Sequence, residues 1–574
     1  MSVILSKINT KNLPKASRYS AVKIYMEKLA KLKKNSETEK IYEEQEVIEV
    51  LTAIFGNSPF LSNIIINDPD FFAKLFDVGF EEVFEEIIYL TKHANETSRE
   101  KLESELRNLK SKTALLVATA ELCEYWSPAY AMEALSDFAD ASVSKVCNYL
   151  LRYYHEQSAI EINNTEEPAN DSGIVVLALG KLGSHELNYS SDIDLVVFYQ
   201  EGKLKYKGKK NLKQFYIEFA QKLIDILSKR TKDGYVFRVD MRLRPDPASN
   251  PLAVSLEKAE KYYFTVGQNW ERAAMIKARP VYYDEEAENI FTSFMEKNIW
   301  RRALDFETIE DIHSIKRQID TKQGIHPDNL YGYNLKLGRG GIREIEFYAQ
   351  TQQLIWGGRK YNLRSKKTEK AIYSLSAENE ISVEAADEMV DAYYFFRFVE
   401  HRLQMINDEQ THTLPKNREK MEELSIFCGF ESMDDFIETL LTKISNVRKN
   451  YSKLFETSPS LASDLPQAQG SLIFTGSENH PETLETLKKM GFENPETISD
   501  IVRGWHHGRY NSTAKKRSRA ALTKLMPTLL TAFSKSPNPD KAFIKFDEFL
   551  GRLPEENQIF STLYMNPSIM DLLA

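Results

Sequence analysis

Apolar positions recur at helical spacing along most of this chain and adopt strand patterns in only one region. From about residue 40 to 160 the pattern is helical throughout, in IYEEQEVIEVLTAIFG, in FFAKLFDVGFEEVFEEIIYL and in the long run from Ser111 to Tyr154. The polar, turn-rich INNTEEPAND (Ile162 to Asp171) then reads as a linker. An apolar run, IVVLALG (Ile174 to Gly180), predicts a fully buried strand, KLGSHELNYSS a glycine-punctuated turn, and DIDLVVFY (Asp192 to Tyr199) a second strand. Leu212, Phe215, Phe219, Leu223 and Ile226 predict a helix after it. YVFRVDMRLRP predicts a third strand over Tyr235 to Arg244, with Arg238, Asp240, Arg242 and Arg244 on one face. PLAVS (Pro251 to Ser255) and ARPVYYD (Ala278 to Asp284) predict two further short extended segments around a helix. From Trp300 to Phe455 the helical pattern returns, with Tyr393, Phe396, Val399 and Leu403 as a core stripe. SPSLASDLPQAQG (Ser458 to Gly470) lacks an apolar period and marks a boundary before a last helical stretch.

These patterns predict a mainly α protein with one α+β domain. The expected divisions are an N-terminal helical domain over 1–160, an α+β domain over 161–299, a helical domain over 300–457 and a further helical domain over 471–574.

The α+β stretch holds the chemistry. Strand side chains alternate, so Asp192 and Asp194 project from one face, and Asp240 on a neighbouring strand supplies a third carboxylate. Such a compact set of hard oxygen donors suits Mg²⁺, which keeps positions free for water and phosphate oxygens. Paired ions about 3.5–4 Å apart hold both the attacking and leaving oxygens of an in-line phosphoryl displacement. The three carboxylates are therefore expected to converge within a few ångströms. Gly180 and Gly183 allow close approach of a phosphate to free amides where a short helix begins. The competing reading makes Asp192 a turn cap and Asp194 a solvated strand residue; the glycine turn before them and DMRLRP after them weigh against it. Elsewhere, Arg272 reads either as a phosphate contact or as an ion pair with Glu271 or another neighbour. The glycine loop Gly338, Gly340, Gly341 reads either as an anion contact or as a tight turn into the helix IREIEFYAQTQQLIW. His401 and His412 read as hydrogen-bonded histidines within helical ground rather than as catalytic groups.

At these residues the chain resembles a known family. GKLGSHELNYSSDIDL is similar to the nucleotidyltransferase signature of the bifunctional glutamine synthetase adenylyltransferase/adenylyl-removing enzymes of bacteria. The resemblance continues through FRVDMRLRP, WERAAMIKAR, NLKLGRGGIREIEF and VEHRLQMINDEQTHTLP, and resumes in GWHHGRYNSTAKKR and FDEFLGRLPEENQIF. It implies a polymerase-β-like nucleotidyltransferase sheet flanked by helical domains, in a family built as two such units in tandem. First units are spelled like VFRVDMRLRP and GGIREIEF, second units like YEVDMRLRP and GGI-DIEF, and this chain matches the first spelling. No second Asp-x-Asp signature follows, so the resemblance covers the first unit and the central helical region.

What the resemblance implies is a magnesium-dependent phosphorolysis: orthophosphate attacks adenylyl-tyrosine of glutamine synthetase and releases ADP. Asp192, Asp194 and Asp240 would be catalytic residues and metal ligands. Gly180, Lys181, Gly183, Ser191, Arg242 and Arg244 would bind phosphate or nucleotide, with Arg244 alternatively supporting the fold. Glutamine synthetase, a PII signal protein, ATP or ADP and phosphate are the implied partners. ATP-dependent adenylylation, and a non-catalytic module docking on PII or glutamine synthetase, remain the alternatives.

Composition narrows this further. A formal charge of −9 over 574 residues argues against a nucleic-acid groove as the main partner surface. The three cysteines, Cys123, Cys147 and Cys428, are scattered without ligand spacing and suit a reducing cytoplasm. No apolar run approaches a membrane span, and the start lacks a signal-peptide core. The lysines at 28, 31, 33 and 34 read as a solvated helix face, and the basic segment TAKKRSRA (Thr513 to Ala520) either as another or as a dock for an acidic partner.

Overall fold

The structure, a computed structural model, describes residues 8, 10–32, 39–247, 249–267, 269–301, 330–456, 472, 474, 479, 481–506, 509, 510, 513 and 516–553. The expected boundary at 458–470, Lys33, Lys34 and the side chains of most of the basic segment from Thr513 lie outside the described residues.

The chain is mainly helical with one small mixed sheet, as the apolar pattern predicts. Helix starts are set by short polar caps: the side chains of Ser58, Asp68, Ser98, Ser127 and Asn211 each accept a backbone N–H three residues on. Pro59, Pro69 and Pro128 occupy the first turn, where the missing N–H costs nothing.

Among the described residues, seven strands form two sheets. β1 (Ile160–Glu161) pairs only with β4 (Lys205–Tyr206). The main sheet contains β2 (Ile174–Leu179), β3 (Asp192–Tyr199), β5 (Arg238–Asp240), β6 (Ala253–Ser255) and β7 (Arg279–Tyr283). Its order is β5-β3-β2-β7, and β6 shares an edge of β3 with β5. β2 runs antiparallel to both its neighbours. β5 and β6 run parallel to β3, which the crossover helix Leu212–Ser228 makes possible between β3 and β5.

Two apolar layers cover the sheet. Ile174, Val176, Ala178, Ile193, Leu195 and Val197 face a cluster that also contains the core of the N-terminal helices and the helix Leu212–Ser228. Val175, Leu177, Leu179, Val196 and Phe198 face a second cluster with the helices Leu256–Thr265, Asn269–Ile276 and Glu285–Ile299. β2 is therefore buried on both faces, and each of its larger side chains contributes roughly 1.5–3 kcal/mol of burial. The first cluster runs from Ile8 to Tyr282 without a break at residue 160 and includes Met405 and Phe427. The helices between 330 and 456 build a third core around Ile345, Tyr393, Phe396 and Ile444. A fourth surrounds Trp505 and Phe543. Among the described residues there is no strand after Tyr283, and no helix is long and apolar enough to cross a membrane.

The third strand is shorter than its alternation predicts. β5 ends at Asp240 because Asp240 Oδ1 accepts the Arg242 N–H at 2.8 Å and turns the chain. Arg244 then braces the turn, donating to the carbonyls of Met241 and Pro247 at 2.8 Å each and of Asn250 at 3.2 Å. Arg242 and Arg244 consequently do not continue a strand face with Arg238 and Asp240.

Candidate active site

β3 carries the two acids at its N-terminal end, on the face it shares with Val196 and Phe198. Parallel pairing sets Asp192 opposite Arg238 and Asp194 opposite Asp240. On its other edge Asp194 lies opposite Leu179, the last residue of β2. The chain leaves β2 through Gly180, whose φ of +54° is a left-handed value that favours glycine. A β-carbon there would lie 2.4 Å from Asp194 Oδ2. All three acids are partly exposed, so solvent and a ligand reach them.

The donor types, three carboxylates on adjoining strands, suit Mg²⁺, but their oxygens do not converge as the sequence leads one to expect. Asp240 does not point freely, since Arg242 Nε lies 3.0 and 2.8 Å from its two oxygens. Among the described residues, no choice of one oxygen from each of the three acids brings them mutually within 4.8 Å; the group that does meet that spacing is Asp137, Asp140 and His185. That trio is already neutralised in part, because Arg279 donates to both oxygens of Asp140, at 2.6 and 3.0 Å.

Several expected phosphate contacts have other partners. Lys181 is buried, and its Nζ lies 3.0 and 3.1 Å from the oxygens of Glu400. Burial pushes the Lys181 pKa down to about 8, an effect that Glu400 only partly offsets. Burial acts against the Glu400 carboxylate too, but Lys181 and His412 override it and hold its pKa well below the usual range. Gly183 is needed by its own chain, since a β-carbon there would lie 2.2 Å from the carbonyl oxygen of Lys277. Ser191 is buried beside Asp192. Arg242 stands half exposed at the carboxylates, whereas Arg244 braces the turn through carbonyl oxygens.

The open alternatives elsewhere resolve toward structure. Arg272 is fully buried and caps the helix Glu285–Ile299, donating to the carbonyls of Asn298 and Ile299 at 3.0 Å each. In the second glycine loop the Gly340 N–H donates to Glu344 Oε2 at 2.9 Å, and Gly341 donates to the Gly338 carbonyl, as a tight turn requires. His401 lies between Glu121 Oε2 at 2.9 Å and Asn188 Oδ1 at 3.1 Å, and His412 meets Glu400.

Sequence reasoning missed the network behind the site. Glu121, Glu186, Arg397 and Glu400 are buried charges that link the glycine segment to the helix Val383–Asn407. Lys277 joins the same network through Glu346 at 2.6 Å and Glu186 at 3.6 Å. One signal was present: Arg397, Glu400, His401 and Gln404 recur at i, i+3, i+4 and i+7, and so share one helix face.

A glycine turn leading from one strand into Asp-x-Asp at the start of the next, with a third acid in register, is the arrangement that the resemblance to nucleotidyltransferases implies. A sequence-family model described as Glutamate-ammonia ligase adenylyltransferase matches residues 48–293, and one described as GlnD PII-uridylyltransferase matches residues 313–457. The chain is 42% identical over 529 residues to the bifunctional glutamine synthetase adenylyltransferase/adenylyl-removing enzyme of Mesorhizobium japonicum, covering 92% of this chain and 53% of that protein. It is 45% identical over 468 residues to the protein of the same name from Rhizobium meliloti, covering 82% and 47%. Over most of its own length the chain is thus similar to the glutamine synthetase adenylyltransferase/adenylyl-removing enzymes. It spans about half the length of the curated relatives it matches.

Proposed function

We propose that this chain removes AMP from an adenylylated tyrosine of glutamine synthetase by phosphorolysis. An oxygen of orthophosphate bonds to the α-phosphorus while the bond from that phosphorus to the tyrosine oxygen breaks. The products are ADP and tyrosine, and the departing phenolate takes the proton that the attacking hydrogen phosphate gives up. The observation that carries this reading is the register of Asp194 with Asp240, beside the glycine turn at Gly180.

Asp192, Asp194 and Asp240 would hold Mg²⁺, which when bound supplies positive charge against the α-phosphate and the oxygens entering and leaving it. Gly180 keeps the chain close to Asp194 without a side chain in the way. Arg242 would receive the incoming phosphate, a role its half exposure beside Asp240 supports. Asp240 serves as metal ligand or as base toward the attacking oxygen. The direction of transfer follows from the first-unit spellings VFRVDMRLRP and GGIREIEF. A PII signal protein as regulator comes from the family resemblance. A cytoplasmic location suits three buried, free thiols at Cys123, Cys147 and Cys428.

The test is incubation with adenylylated glutamine synthetase, magnesium and phosphate, followed by intact mass. Loss of one AMP per subunit with ADP appearing supports the proposal. Unchanged mass together with ATP-driven labelling of the unmodified enzyme overturns the direction and assigns adenylylation instead.

A further inference from the structure

The segment between the catalytic strands, residues 180–191, is held from outside the sheet. Its entry is Lys181, next to the glycine that faces Asp194, and Lys181 Nζ is bound to both oxygens of Glu400. Near its exit, Asn188 Nδ2 donates to Glu400 Oε2, so the same carboxylate grips both ends. Ser190, two residues before Asp192, donates its N–H to Gln404 Oε1 at 2.9 Å and its hydroxyl to the Asp408 carbonyl at 2.8 Å. Arg397 donates to the carbonyl of Glu186 in the middle of the segment. Arg397, Glu400 and Gln404 stand one turn apart on the helix Val383–Asn407 and contact 186, 188 and 190 in that order.

We propose that Glu400 is a positioning residue for the carboxylate strand, fixing both ends of segment 180–191, and that Lys181 is its anchor rather than a phosphate ligand. This rests on the functional reading above for its catalytic readout. Glu400 is fully buried, and a buried ionic set is weak evidence for stability, since apolar residues of similar volume often do as well or better. What charged hydrogen bonds supply in addition is direction. Here they fix where Gly180 meets Asp194 and where Ser190 hands the chain to β3. The Lys181 side chain is 10% exposed, and its ammonium is committed to a carboxylate with no exposure at all. Reaching a phosphate would break this pair and leave Glu400 with His412, Asn188 and, at 3.8 Å, Arg397.

The test is a double-mutant cycle on Lys181→Met and Glu400→Gln, with Gln404→Leu as an independent variant. Turnover, KM for phosphate, Mn²⁺ affinity by electron paramagnetic resonance and thermal midpoint are read for each, and Asp192→Asn identifies the Mn²⁺ signal as the strand site. Both single variants should lower turnover and weaken Mn²⁺ binding about tenfold while KM for phosphate stays within about twofold, and the double variant should be no worse than the poorer single. A Lys181→Met enzyme with a tenfold higher KM for phosphate and unchanged turnover would make Lys181 a ligand and overturn the proposal. So would additive effects in the cycle, or a folded Glu400→Gln protein with unchanged Mn²⁺ affinity. If Glu400→Gln does not fold, Gln404→Leu decides by the same readouts, where a smaller loss of turnover and Mn²⁺ affinity supports the proposal and no loss overturns it. A wild-type chain that binds Mn²⁺ but leaves adenylylated glutamine synthetase untouched removes the functional reading alone, and the metal affinities then score the positioning role. A wild-type chain that binds no Mn²⁺ overturns both.

Discussion

Gly180 and Asp194 touch so closely that a β-carbon on the first would lie 2.4 Å from Oδ2 of the second. The contact joins the end of β2 to the acid on β3 that stands opposite Asp240. Gly180→Ala would add a side chain at φ +54° and force the carboxylate aside. The backbone strain alone costs about 1–2 kcal/mol. Thermal midpoint should fall by a few degrees while phosphorolysis falls much further, at least about tenfold. A variant with lowered midpoint and full activity would show that the position of Asp194 is not critical.

Asp192→Asn, Asp194→Asn and Asp240→Asn each remove a charge and keep the side-chain size. Folding should be nearly unaffected, because a partly exposed amide replaces each acid without a steric change. Turnover should drop by about 10²–10³ or more, the usual cost of losing one preorganised charge contact. Rates and thermal midpoints together decide. Loss of the fold would make the acids structural caps, and folded, active variants would move the site elsewhere.

Asp240 exchanges partners if it binds a cation, because Arg242 already occupies both its oxygens. Removing the arginine as Arg242→Gln should lower the magnesium concentration needed for half-maximal rate, since the ion no longer competes with a guanidinium. It should also raise KM for phosphate about tenfold or more, the loss of one charged hydrogen bond. Steady-state titration of each against the other separates the two effects. Movement of neither constant would place Arg242 outside the reaction.

Glu346 and Lys277 predict a pH window for stability. Burial raises the Glu346 carboxyl, but Lys277 overrides it and holds the pKa down at about 2, against an ordinary 4.5. A depressed acid stabilises the fold fully above its unfolded value, and that contribution is lost as pH falls through 4.5 toward 2. Burial works against Lys277 as well, yet Glu346 and Glu186 raise its pKa above 10.5, so its share persists until more alkaline pH. The gap in thermal midpoint between wild type and Glu346→Gln should stay level between about pH 5 and about pH 9, narrow in acid, and narrow again once pH rises past 10.5 and Lys277 loses its charge. A gap independent of pH down to unfolding would deny the ion pair.

The main sheet was legible because its strands carry their own signal. IVVLAL is apolar at every position since both faces are covered, and DIDLVVFY changes from alternating to continuous where β6 replaces β5 beside it. The crossover helix was legible from Phe215, Phe219, Leu223 and Ile226, all buried. The end of β5 was not, because alternation in VFRVDMRLRP persists into residues that a side chain-to-backbone bond folds into a turn. The acids were legible as a motif, while the commitment of Lys181 was not. Its partner lies 219 residues away, on a helix face whose charges look like a solvated surface until the glycine segment covers them.

That separation also governs when the site can take shape during synthesis. β3 can pair with β2 soon after residue 199 is made, for the antiparallel neighbours are close in sequence. Asn188 and Lys181 must wait for Glu400, which follows Asn188 by 212 residues. At about 5–20 residues per second the ribosome needs roughly 10–40 s to supply it. Through that interval the nascent chain holds the acids on β3 but lacks the grip on 180–191, so the half-made protein should remain catalytically idle until its third core begins to close.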